Sequence, residues 1–203
     1  MSLFRAAAVA LLLAAPALAA PAAAFAQDAR LVERLDTATA ASVQQVVDSA
    51  RSAGLPTEPL VQKALEGGTL GASGDRIVVA VAALHGQLGR ARDALGGRAT
   101  EAELTAAAGA LRAGLPPTAL RRLQSLRSGR PLVVPIAVLT DLVAEGVPAE
   151  QATRSVLDLA RDGRPDDEFV ALRRQVRMQP RGGAGEPMQR PALRPAADPP
   201  VDR

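Results

Sequence analysis

Apolar residues along this chain recur at steps of three and four. Between residues 77 and 95 they fall at Ile77, Val78, Val81, Leu84, Leu88, Ala91 and Leu95, a spacing that puts them on one face of a helix. Val43, Val46, Val47 and Ala50 repeat the pattern, as do Phe169, Leu172 and Val176. No segment alternates convincingly with period two. Pro131-Leu132-Val133-Val134 is the only short strand-like run, and its flanking prolines argue against a strand. The pattern predicts an all-α protein.

Punctuation divides the periodic stretches into short helices. Gly-x-Pro occurs at Gly54-Leu55-Pro56, Gly114-Leu115-Pro116, Gly129-Arg130-Pro131, Gly146-Val147-Pro148 and Gly163-Arg164-Pro165. Glycine in the left-handed conformation closes one helix, and proline suits the first turn of the next. From Gly114 onward the spacings are 15, 17 and 17 residues, room for one helix and one tight turn each. Two such intervals make a helical hairpin on the ~32–34-residue scale of helical-repeat arrays. Similarity between residues 54–60 and 114–120 suggests an internal duplication, each copy followed by a more apolar helix (Ile77 to Leu88, Ile136 to Val143). Thr100-Glu101-Ala102-Glu103 reads as a capping box opening a helix to Ala113. The expected architecture is short helical hairpins in a bundle or α-solenoid-like repeat array.

The two ends differ from this body. Arg5, the uncharged run from Ala6 to Ala15, Pro16, and Ala24-Phe25-Ala26 read as a signal peptide cleaved before Gln27, with a second site after Ala19 as the alternative. The apolar run is shorter than the roughly 18–20 residues of a membrane span, so no transmembrane segment is expected after cleavage. Residues 179–203 carry six Pro and three Gly, with Met188, Leu193 and Val201 as the sizeable apolar groups; such a stretch is expected to be a disordered tail. The domains are therefore 1–26 signal peptide, 27–178 helical repeat domain and 179–203 tail, in a secreted or periplasmic protein.

Composition then narrows the chemistry. There is no Cys, so an exported chain is here stabilised without disulfides. Beyond residue 26 there are 23 basic and 21 acidic residues, a balance that gives no reason to expect a nucleic-acid partner. Phe169 is the only aromatic residue after Phe25, which argues against sugar-stacking or base-stacking surfaces. The core must be Leu, Val, Ile and Ala.

Candidate sites are few. His85 is the sole histidine, at the edge of the apolar face of its helix, and reads as a partly buried structural residue or else as a pH sensor. Asp166-Asp167-Glu168 lack the spaced oxygens and central glycine of a calcium loop and suit the positive end of a helix. No catalytic, metal or cofactor constellation stands out. Arginine is the exception. Arg112, Arg121, Arg122, Arg127 and Arg130 occupy a stretch free of acidic residues, and Arg173, Arg174, Arg177 and Arg181 form a second. Converging on one surface, they would hold phosphate or carboxylate groups; otherwise they are a solvated face.

Residues 54–67, with Arg76-Ile77-Val78 and the apolar helix after them, resemble uncharacterised secreted bacterial proteins that repeat a Gly-Leu-Pro or Gly-Val-Pro helix start in an Ala/Arg-rich chain. The resemblance covers about residues 50–160 and implies export and repetition, with no activity attached. Gly68-Thr69-Leu70-Gly71-Ala72-Ser73 departs from the Gly-x-Pro rhythm. Three roles follow: a non-catalytic interaction or scaffold module with a protein partner; a binder of anionic envelope components, lipid headgroup or polysaccharide, through the arginine clusters; and, remotely, a hydrolase using carboxylates alone.

Overall fold

The computed structural model describes residues 28–178. Among them the chain forms nine helices and no strand: α1 (Ala29–Arg34), α2 (Thr37–Ser52), α3 (Glu58–Thr69), α4 (Gly74–Leu95), α5 (Glu101–Arg112), α6 (Pro117–Leu126), α7 (Val133–Ala144), α8 (Ala149–Arg161) and α9 (Asp166–Met178). The all-α expectation holds. The expected signal peptide and the expected disordered tail lie outside the described residues.

The expected turn chemistry closes most of the helices. Gly54, Gly114, Gly146 and Gly163 all have φ between 64° and 90°. In each turn the following N–H donates to the carbonyl five residues back: Leu55 to Ala50 at 2.8 Å, Leu115 to Ala110 at 3.1 Å, Val147 to Leu142 and Arg164 to Leu159 at 3.0 Å. This pairing satisfies carbonyls that a helix end otherwise leaves open. The irregular Gly68–Ser73 stretch makes the same turn without proline, Ala72 donating to Gly67 at 3.0 Å.

Two details depart from expectation. Pro116, Pro148 and Pro165 each sit just before the helix they open rather than in its first turn, and Pro56 lies two residues before α3; the fixed proline φ suits such a helix approach equally well. At Gly129 the five-back bond is replaced by a wider loop, and α7 starts two residues after Pro131, with Leu132 as its N-cap. The strand-like run at 131–134 is therefore a helix entry.

Helices two apart in sequence lie side by side. α2, α4, α6 and α8 form one row; α5, α7 and α9 line another, with α1 against α3. α4 runs for 22 residues and packs on α2, α3, α5 and α6. Of the predicted apolar face it buries Ile77, Val81, Leu88, Ala91 and Leu95, with Ala94 in addition, while Val78 and Leu84 are partly buried at its edge. α7 buries Ile136, Val138, Leu139 and Leu142. Each fully buried Leu or Ile contributes about 1.5–3 kcal/mol relative to exposure. Alanines at 40, 50, 64, 91, 107, 108, 110, 152 and 160 complete the core, as the aliphatic composition requires, and let helices approach closely. The closest approach is at Gly74, where a Cβ would lie 2.1 Å from Thr39 Oγ1. Only glycine fits there while the Thr39 hydroxyl donates to Asp36 at 2.6 Å.

Candidate functional site

Helix phase decides what each arginine does. On α6, Ala119, Leu120 and Leu123 face the core, and continuing the same three-and-four steps brings Arg127 inward. Its side chain is 1% exposed. The guanidinium donates to the Arg164 carbonyl at 3.0 Å, the Pro131 carbonyl at 3.3 Å and Asp166 Oδ1 at 2.5 Å, and its carbon lies 5.0 Å from the Phe169 ring centroid. Its Nε is shielded from solvent and has no hydrogen-bond partner. Arg130, three residues on, donates to the Gly163 carbonyl at 3.0 Å and the Arg164 carbonyl at 3.2 Å. Together these side chains clasp the α8–α9 turn onto the α6–α7 loop.

The device recurs. Arg92 on α4 donates to the Ala53 carbonyl at 3.0 Å and to the Gly54 carbonyl, holding the first Gly-x-Pro turn. On α9, Arg173 pairs with Asp141 at 2.8 Å and Arg177 with Glu145. Both pairs join residues 32 apart, so α7 and α9 run parallel, one hairpin step apart. Glu145 holds Arg177 above the ordinary arginine range.

The two sequence clusters thus do not converge intact. Arg127, Arg130, Arg173 and Arg177 are engaged within the molecule. Arg112, Arg121, Arg122 and Arg174 are exposed, and Arg112 is near enough to Glu66 to add to the downward pull that Lys63 exerts on that carboxyl. Arg181 lies outside the described residues.

Two of the clefts between the described residues have space for a ligand of some size. The first, about 710 Å³, opens between the end of α7, the start of α8 and the end of α9. Leu142, Val147, Leu172 and Val176 give it apolar walls, with Gln151 and Ser155 among its polar lining and the Arg177–Glu145 pair on one side. The second, about 470 Å³, lies between the α4–α5 and α6–α7 loops and brings Arg98 beside Arg127 and Arg130. Arg98, outside either sequence cluster, was not singled out by spacing; only the fold places it there.

Glu103 lines this second cleft and joins two helix starts. It completes the predicted capping box, Oε2 accepting from Thr100 N at 2.9 Å and Thr100 Oγ1 at 3.0 Å, while Oε1 accepts from Leu132 N at 2.9 Å. Burial raises its pKa, but the Thr100 and Leu132 N–H groups and the Thr100 hydroxyl overcome this and hold it below the ordinary value.

His85 is half-buried, and its Nε2 is shielded without a hydrogen-bond partner. Asp166 and Glu168 are engaged by Arg127 and Arg164 at the first turn of α9, in keeping with a helix-start role. Among the described residues, no group of three or more metal-type ligands occurs and no helix is long and apolar enough to cross a membrane. Compared with protein-family models, curated proteins and solved structures, the chain matches none of them.

Proposed function

We propose that the chain is a non-catalytic interaction module, exported by residues 1–26, that receives a short segment of a partner protein in the α7–α8–α9 cleft. The observation that carries this reading is the cleft's composition: an apolar floor of Leu142, Val147, Leu172 and Val176 beside polar Gln151 and Ser155. That combination of apolar core and polar edge is what protein interfaces present. Aliphatic side chains of the partner fill the floor, and the Gln151 amide and Ser155 hydroxyl pair with its backbone. The Arg173 and Arg177 pairs keep α9 fixed to α7, so the cleft needs little ordering on binding.

The test is a photo-crosslinking residue at position 151, compared with one at exposed Gln45 on α2, in cells that export the protein. The reading expects one adduct at 151 that is absent at 45 and lost on Val147→Glu. Equal yields at both positions, or an adduct indifferent to Val147→Glu, overturn it. Recovery of a product beginning at Gln27 checks export.

A second reading, binding of anionic envelope surfaces, is supported by Arg121 and Arg122, adjacent and exposed on α6 with no acidic partner among the described residues. It expects salt-sensitive binding to anionic vesicles that Arg121→Glu with Arg122→Glu abolishes; unchanged retention removes it.

A further inference from the structure

We propose that the cleft between the α4–α5 and α6–α7 loops is a binding site for a small organic anion, a carboxylate or phosphate monoester carrying an apolar group. The charge lining this cleft is unbalanced. Arg98, Arg127 and Arg130 line this cleft with a single carboxylate, Glu103. Both Glu103 oxygens are already taken by Thr100 and by the Leu132 N–H, so that carboxylate is committed to the helix starts. Asp166 answers Arg127. Arg98 and Arg130 have no acidic partner among the described residues, whereas nine ion pairs form away from this cleft in the same residues.

The second observation is the unpartnered donor. Arg127 Nε is buried in a side chain 1% exposed and donates to nothing, although a buried N–H without an acceptor costs about 1–3 kcal/mol. That Nε is shielded from the cleft as well, so Arg127, which lines the cleft, acts on an anion there through its charge rather than through this donor. The third is orientation. Arg130 is fixed in place by its bonds to the Gly163 and Arg164 carbonyls, which occupy two of its five N–H donors and leave the others for a ligand. A planar guanidinium held this way binds a carboxylate or phosphate at little entropic cost.

The walls specify the rest of the ligand. Leu95, Leu132 and Val133 face the same space, so the cleft pairs cationic groups with an apolar lining. That lining lowers the local dielectric and strengthens the charged hydrogen bonds. A space of about 470 Å³ accepts a small organic molecule or the headgroup end of a lipid, and phosphate monoester chemistry is common to both. Arg98 is the discriminating residue, because it is exposed and makes no hydrogen bond or ion pair among the described residues.

The experiment uses phenyl phosphate, inorganic phosphate and phosphatidic acid vesicles as probes, each added to the full exported chain, with affinity read by titration and thermal shift. Phenyl phosphate is expected to bind more tightly than inorganic phosphate. Arg98→Gln is expected to weaken it at least ~10-fold, equivalent to about 1.4 kcal/mol, with the ligand-free melting temperature unchanged. Arg121→Gln removes the same charge elsewhere and is expected to leave binding intact. Vesicle capture that depends on Arg98 without phenyl phosphate binding assigns the site to a lipid headgroup; phenyl phosphate binding that depends on Arg98 assigns it to a free anion. No binding of any probe, or equal loss in Arg98→Gln and Arg121→Gln, overturns the proposal. Val147→Glu, in the other cleft, is expected to leave this binding unchanged, so failure here and failure of the partner-docking reading are told apart.

Discussion

Replacing Arg127 by methionine keeps most of the side-chain volume and removes every polar contact that Arg127 makes to the clasp, leaving those of Arg130. The guanidinium makes hydrogen bonds to two carbonyls and to Asp166. Bonds involving a charged group contribute about 1.5–3 kcal/mol each; with the Pro131 contact long at 3.3 Å and Asp166 39% exposed, the gross loss is on the order of 4–6 kcal/mol. Two gains oppose it. Methionine removes the unpartnered Nε donor and relieves the desolvation of a fully buried cation, together worth about 2–3 kcal/mol. Methionine also retains a sulfur contact to Phe169 in place of the cation–π contact. The net expectation is a destabilisation of about 2–3 kcal/mol, or roughly 5–10 °C in melting temperature for a domain this size. Urea titration followed by far-ultraviolet circular dichroism reads it, with Arg121→Met as the exposed control expected within about 0.5 kcal/mol of wild type. A variant as stable as wild type would refute the reasoning, because it would mean that burying the guanidinium costs as much as its bonds return.

Other substitutions follow the same logic. Gly74→Ala forces a Cβ against the Thr39 hydroxyl and is expected to destabilise by about 1–3 kcal/mol, with partial recovery in the Gly74→Ala, Thr39→Ala double variant; a neutral single variant contradicts that contact. Glu103→Ala leaves the Thr100 and Leu132 N–H groups without their acceptor and is expected to cost about 2–4 kcal/mol in the same urea titration. Glu58, held by the Arg30 guanidinium and then by the Gln62 amide, is lowered from 4.5 to about 2. A depressed carboxylate contributes stability above its unfolded value and loses it as pH falls through its folded value. Glu58→Gln is therefore expected to flatten the acid limb between pH 4.5 and about 2, by under about 1 kcal/mol because the pair is exposed. An unchanged acid limb would contradict it.

Much of the fold could be read from short-range patterns, because its turns and helices are local devices. The apolar face from Ile77 to Leu95, the capping box at Thr100 and the glycine-closed turns all depend on residues within one or two helical turns of each other. The clasps were harder to read because they depend on which helix faces which. Arg121 and Arg127 are equivalent in composition, yet one is solvated and the other buried. The signal was nevertheless present, since Arg127 continues the Leu120, Leu123 stripe. Likewise Asp141 and Glu145 sit at the same four-residue spacing as Arg173 and Arg177, at a constant offset of 32. That offset reveals paired parallel helices one hairpin apart, but only once acidic and basic positions are compared across the chain rather than within a cluster. Arg92 and Arg98 carried no comparable local mark, and the two clefts are products of tertiary packing alone.

Two matched variants test most directly the claim that the fold divides these arginines into internal clasps and free groups. One replaces Arg127, Arg130, Arg173 and Arg177 by glutamine; the other replaces Arg112, Arg121, Arg122 and Arg174, removing the same charge. Urea unfolding is expected to show the first destabilised by more than about 4 kcal/mol and the second within about 1 kcal/mol of wild type. Equal losses in the two variants would contradict the account.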